Sequence, residues 1–208
     1  MEHKVTRSTY LAQAVSRYSN PPVLSVLILL LIAYTSAHNV HELASWVALI
    51  LLFFVLIPAI YVYFRIHGSG ERIKSVVKLT TFLKQHPGDI LILALLPGLA
   101  CLATLSFLKA PTILISTIVA LLAVSIVTAL FNTYYRVSFH SAAMTILIIM
   151  AAQAWGQTLL VLLIILPLIC WAKYHLRDHT IPQLVIGIAL SVVAGLTTLF
   201  LFGRFTVF

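Results

Sequence analysis

The chain has 208 residues, of which 62% are apolar and only 9% charged, with a mean hydropathy of +1.09 and a formal net charge of +8. A soluble globular domain carries roughly a quarter of charged residues, so this composition excludes one and points to an integral membrane protein. Cys101 and Cys170 each sit inside an apolar run, which leaves no readable disulfide framework.

In chain order, residues 1–20 carry Val5, Tyr10, Leu11, Ala14, Val15 and Tyr18 among polar neighbours, a spacing that predicts an amphipathic helix lying on a membrane surface. Pro21-Pro22 ends it. Lys4, Arg7 and Arg17 ahead of the apolar run Val23–Ala37 have the outline of a signal peptide, but the run is expected to stay as a membrane anchor. Span one is read at Val23–Val40 and span two at Leu43–Arg65, joined by the polar link His38–Glu42, with a kink expected at Pro58. The long polar connection Ile66–Asp89 contains Gly68-Ser69-Gly70, read as a turn, and an expected interfacial helix from Glu71 to Gln85. Span three is Ile90–Leu108, broken by Lys109-Ala110-Pro111, and span four is Thr112–Phe131. Span five starts near Ser138 and ends at Trp155-Gly156-Gln157, span six runs to Trp171, and span seven is Thr180–Phe202. The expected fold is an all-α, polytopic bundle of six to seven transmembrane helices with short interfacial helices. It forms a single membrane domain over 1–208, with N-terminal spans and a basic loop in 1–111 and a four-helix core in 112–208.

Threading seven spans puts Lys4, Arg7, Arg17, Arg65, Arg72, Lys74, Lys78 and Lys84 on the same side as Arg136, Lys173 and Arg177, and leaves Lys109 and Arg204 on the other. By the positive-inside tendency the cation-rich side is expected to face the cytoplasm and to hold anionic headgroups.

The segments Met144–Trp155 and Thr158–Trp171 are together long enough to cross a bilayer and return, which brings Arg136, Ser138 and His140 to the same side as Lys173, Arg177, His179 and Gln183. At helical spacing Arg136 pairs with His140, Lys173 with Arg177, and His179 with Gln183. Three cations beside two imidazoles suit a phosphoryl group: the cations bind its oxygens, one imidazole attacks phosphorus and the other protonates the departing oxygen. Two other readings stand beside it. Cations at span ends are ordinary topology determinants, and His140, His175 and His179 are a conceivable three-imidazole metal site, though with no convergent carboxylate or thiolate.

Val137-Ser138-Phe139-His140 and Ala172-Lys173-x5-His179-x3-Gln183 resemble two motifs of the type 2 phosphatidic acid phosphatase family, Pro-Ser-Gly-His and Ser-Arg-x5-His-x3-Asp. That family shares its helical core with vanadium-dependent haloperoxidases. The resemblance covers the last four spans, from about Thr112, and includes Gly187. It implies His140 as general acid, His179 as the nucleophile that forms a phosphohistidine, and Gln183 in the place of the nucleophile's Asp partner. It further implies Lys173, Ser138 and Arg136 as phosphate ligands, with Arg177 beside them. The family's first motif, Lys-x6-Arg-Pro, is not present, and Arg136 is expected to replace part of it. The expected activity is hydrolysis of an isoprenyl, polyprenyl or phosphatidic-acid-like lipid phosphate or diphosphate, with no metal, no cofactor and no nucleic-acid partner, among membrane lipids. The alternative is an inactive relative that binds or moves an anionic lipid.

Overall fold

The computed structural model describes residues 7–68 and 87–203, with side chains at 7–64 and 95–203. Among the described residues there are helices and turns and no strand. The expected interfacial helix Glu71–Gln85 lies outside them.

Helix α1 (Arg7–Tyr18) and helix α2 (Pro21–Ser36) are bent by 43° across the short break between them. Pro21 is the first residue of α2, where a fixed φ and a missing N–H suit a helix start, so the Pro-Pro pair ends one helix and begins the next. Helix α3 (Val40–Leu51) is capped by Asn39, whose side chain accepts from the Glu42 amide at 2.8 Å. The expected kink at Pro58 takes the form of a π-turn, Leu52–Leu56, in which the Ile57 N–H reaches back to the Leu52 carbonyl. Pro58 has no N–H for the carbonyl four residues earlier and its ring crowds it, and the wider turn gives room. Helix α4 (Ile57–Gly68) continues the same rod.

Helix α5 (Pro87–Phe107) ends in a left-handed residue, Lys109 at φ 55°, with Ala110 N–H bonded to the Leu105 carbonyl and Lys109 N–H to Ser106. This crossed pair closes the helix end in the Schellman manner. Helix α6 (Thr112–Asn132) follows directly. Helix α7 (Phe139–Trp155) is capped by Ser138 and stopped by Gly156 at φ 115°, a conformation an L side chain would strain. A 3₁₀ stretch (Gln157–Ile164) then runs into helix α8 (Ile165–His175), and helix α9 (Ile181–Leu201) completes the chain. Pro167 falls in the first turn of α8, close to its junction with the 3₁₀ stretch.

Among the described residues four helices are long and apolar enough to cross a membrane, Val40–Phe64, Thr112–Asn132, Gln157–His175 and Ile181–Leu201, or five if α1 and α2 count as one bent span. The Gln157–His175 segment reaches roughly 32 Å because its 3₁₀ part rises about 2.0 Å per residue. Helix α7 is shorter, about 25 Å. Only 6% of the Val40–Phe64 window is buried, and Ile164, Val193 and Phe200 are exposed apolar side chains. Such surfaces suit a hydrocarbon solvent.

Packing divides the chain into one unit made of residues up to Ile28 and from Val119 onward, and a second unit from Leu29 to Ile118. In the second, α3, α4 and the π-turn pack on α5. In the first, α7 is the central element, with every residue from Ser141 to Ala152 buried, as expected of a helix apolar on all sides. Helix α9 is its main neighbour, α8 lies beside it, and α1 packs on α8. The face of α9 that meets α7 is built of small residues, Gly187, Ser191, Ala194, Gly195 and Thr198. This is the composition that lets helices approach closely where lipid removes the hydrophobic drive between them.

At Gly187 the approach is tightest: an added Cβ would stand 2.6 Å from Ser141 Oγ and 2.7 Å from the Ser138 carbonyl oxygen. At Gly195 it would meet the tip of Ile146 at 2.9 Å, a flexible side chain that can turn away. Gly187→Ala should therefore destabilise the protein by about 1–3 kcal/mol and Gly195→Ala by clearly less, read as unfolding midpoints in detergent.

Candidate functional site

The first unit's polar face is assembled by stitching the N-termini of α7 and α9 together. Ser138 N–H donates to the Gln183 carbonyl at 3.2 Å, and Ser141 Oγ–H lies 3.0 Å from the Leu184 carbonyl. Because His140 is the second residue of α7 and His179 stands two residues before α9, this splice carries both residues to the same end of the unit. Lys173, Asp178 and His179 all act electrostatically on His140.

Beside them is an open cleft of about 670 Å³ lined by Arg136, Trp171, Tyr174, His175, Arg177, Asp178, His179, Thr180 and Gln183. Of the residues singled out by sequence, Arg136, Arg177, His179 and Gln183 form its walls. Ser138, His140 and Lys173 are not among the lining residues. Ser138 is fully buried and its hydroxyl faces the Ser141 amide at 3.4 Å as the cap of α7, so its place is structural rather than that of an open phosphate ligand. Lys173 is paired with Asp178 at 3.2 Å, a bond that holds its ammonium.

The pairings expected from helical spacing form differently. Arg136 lies in the loop before α7, so it shares no helix face with His140. Its backbone is set by Asn132, whose side chain accepts from the Val137 amide at 2.7 Å. Helix α8 ends at His175, which separates Lys173 from Arg177 and His175 from His179. The ending is another Schellman closure, with Asp178 N–H bonded to the Lys173 carbonyl, Arg177 N–H bonded to Tyr174, and Arg177 itself at φ 57°. A left-handed conformation on a non-glycine residue costs about 1–2 kcal/mol. Here that residue is part of the cleft wall.

Gln183 does reach His179, through a cap rather than a shared face. Its Oε1 accepts from the Thr180 amide at 3.1 Å and lies 3.2 Å from His179 Nδ1. An amide oxygen accepts and never donates, so Nδ1 carries the proton and Nε2 keeps a free lone pair. Burial pushes the His179 imidazole below its ordinary range; the bond to Gln183 and the Asp178 carboxylate oppose this, while Lys173 and Arg136 add to it.

Three residues of this site carried no signal in the spacing. Ser19, just beyond α1, has its hydroxyl 2.9 Å from His140 Nε2. Thr9 Oγ1 lies 3.4 Å from His175 Nε2. Trp171 stacks on His175 with ring centroids 5.4 Å apart. Among the described residues, no group of three or more His, Cys, Asp or Glu side chains is placed to hold a metal ion.

Comparison of the chain with family models, with curated proteins and with solved structures returned no match. The site therefore stands on its own chemistry: two guanidinium groups, an oriented imidazole with an available lone pair, and a second imidazole close by. Such a set has the charge and the lone pair that suit a phosphate-like anion.

Arg177 separates the two contributions. Arg177→Gly should raise stability by up to about 1 kcal/mol, because glycine adopts the left-handed cap freely, while weakening orthovanadate binding. Paired unfolding and titration measurements check both signs.

Proposed function

We propose that the protein is an integral membrane phosphatase of lipid phosphates or diphosphates, a divergent relative of the type 2 phosphatidic acid phosphatases, acting through a phosphohistidine on His179. The observation that carries the reading is the Gln183–His179–Thr180 arrangement, which leaves Nε2 unprotonated within a cleft bearing Arg136 and Arg177. In this proposal the chain crosses the membrane six to seven times, counting α7 and α5 with the longer helices. The basic side, and with it the site, faces the cytoplasm.

In the proposed reaction the two arginines bind the phosphoryl oxygens while the lipid tail stays in the bilayer. The Nε2 lone pair of His179 attacks phosphorus, the bond from phosphorus to the lipid oxygen breaks, and that oxygen takes its electron pair and then a proton from His140. A water molecule next gives a proton to His140 and attacks phosphorus. The P–N bond breaks back onto His179 and free phosphate leaves. The preorganised guanidinium charge is what stabilises the transition state. Gln183 supplies orientation without the negative charge that a carboxylate would add to an imidazolium.

A second reading follows from a specific pair of observations. Lys173 is tied to Asp178 and the nucleophile's partner is an amide, which favours a protein that binds an anionic lipid without turning it over.

The deciding experiment offers purified protein phosphatidic acid, a polyprenyl phosphate and a polyprenyl diphosphate, with and without EDTA. Phosphate release that survives EDTA, is inhibited by vanadate and is lost in His179→Ala and in His140→Ala is the expected result. Full activity in His179→Ala sinks the mechanism, and saturable binding with no release favours the second reading.

The neutral imidazole is the nucleophile, so kcat/KM falls on the acid side as His179 gains a proton. Its pKa is pushed down, so the fall is centred below pH 6.5. Gln183→Asp places a carboxylate beside the ring, favours the imidazolium and should move the fall to higher pH.

A further inference from the structure

Helix α1 is not a separate surface element in this unit. It packs on α8, buries Ala12 and contributes Val15 to the apolar cluster around Met144, Leu147 and Ile169. At its C-terminal end Ser19 is 9% exposed and makes two contacts through one oxygen, 2.7 Å to the Val15 carbonyl and 2.9 Å to His140 Nε2. A hydroxyl has one proton, and the Val15 carbonyl can only accept. The proton of Ser19 therefore goes to Val15, and what Ser19 presents to the imidazole is a lone pair. The ring nitrogen facing it must be the donor. This fixes His140 with Nε2 protonated, and it leaves Nδ1 as the nitrogen that gains and gives the working proton.

Resting on the phosphatase reading above, we propose that Ser19 is a positioning residue for His140, which supplies from the N-terminal helix the orienting partner that the proposed general acid needs. The arrangement satisfies the ring in both of its states. Nε2–H is donated to Ser19 whether His140 is neutral or an imidazolium, so the bond survives the loss of the Nδ1 proton to the departing lipid oxygen and its return from water. A third group that orients an acid or base in this way is a recurring requirement of such sites. Gln183 and Ser19 thus hold the two rings in opposite tautomers: His179 with Nδ1 protonated and His140 with Nε2 protonated.

The test uses full-length protein in detergent micelles with nitrogen-15 label in histidine, in mildly alkaline buffer where the ring is neutral. The His140 signals are assigned by their disappearance in His140→Gln. Wild type and Ser19→Thr, which keeps the hydroxyl, should show His140 as the Nε2–H tautomer, and Ser19→Ala should show a mixture of tautomers. In parallel, Ser19→Ala should lower kcat on a lipid phosphate roughly tenfold with KM little changed, a part of the 10²–10⁴ that a positioned acid contributes, and Ser19→Thr should restore it. An unchanged His140 tautomer in Ser19→Ala overturns the proposal, as does an unchanged kcat. Should the His179→Ala protein keep full activity, the phosphatase reading fails by itself, and the ring spectrum still decides the role of Ser19.

Discussion

The close crossing of α7 and α9 is the constraint on which the rest of this site depends. Two hydrogen bonds, from Ser138 to Gln183 and from Ser141 to Leu184, tie the beginnings of the two helices together, and they form only because Gly187 has no side chain to hold the backbones apart. In a lipid environment apolar area gives little preference for one helix neighbour over another, so contact distance and interhelical polar bonds must fix the partner. Among the described residues no buried side-chain polar atom lacks a partner. An unpartnered polar atom would be costly in any such apolar interior. Histidines 140 and 179, separated by 39 positions in sequence, are brought to the same end of the unit by this crossing.

What the sequence made legible follows from how strongly local physics dictates each feature. Long apolar runs must be helical in hydrocarbon, so Thr112–Asn132 and Ile181–Leu201 match the reading to within a residue or two. Caps and breakers were equally plain, since Pro21, Ser138, Gly156 and Thr180 stand at helix ends. The π-turn before Pro58 and the 3₁₀ stretch were not legible, because each is a small local adjustment whose form depends on neighbouring turns. Helical spacing misplaced Arg136 and Arg177 for a related reason. The 3.6-residue rule holds only inside a helix, and both arginines lie beyond its ends.

The division of the cations shows what spacing could not. Lys173 and Arg177 read as equivalent positive charges, yet one closes an ion pair with Asp178 and the other stands in the cleft. The Schellman ending decides it. The chain turns left-handed at Arg177, and the Asp178 carboxylate next to it comes back onto Lys173. Asp178, five residues short of the place where a carboxylate would partner His179 across the helix start, serves the ammonium and acts on His179 only at longer range. The cleft therefore keeps two planar, always-charged forks rather than three mixed cations, a set better suited to the flat array of phosphoryl oxygens than to a general basic surface.

The two imidazoles are the same side chain in two different settings, and the settings rather than the residues distinguish their proposed roles. His179 sits outside a helix start, with its Nδ1 proton given to an amide oxygen that is itself locked by the Thr180 amide; its remaining nitrogen is a lone pair with nothing to do but meet an electrophile. His140 is the second residue of a buried helix, and its ring is met by a hydroxyl from a segment more than a hundred residues away. A nucleophile needs a bare nitrogen and an acid needs a donor that can be reloaded. Neutral imidazole offers one of each, so the reaction's polarity is set by which nitrogen is tied down. In the proposed reaction Gln183 and Ser19 would set the direction of proton flow, although neither carries a charge or takes part in the bond changes.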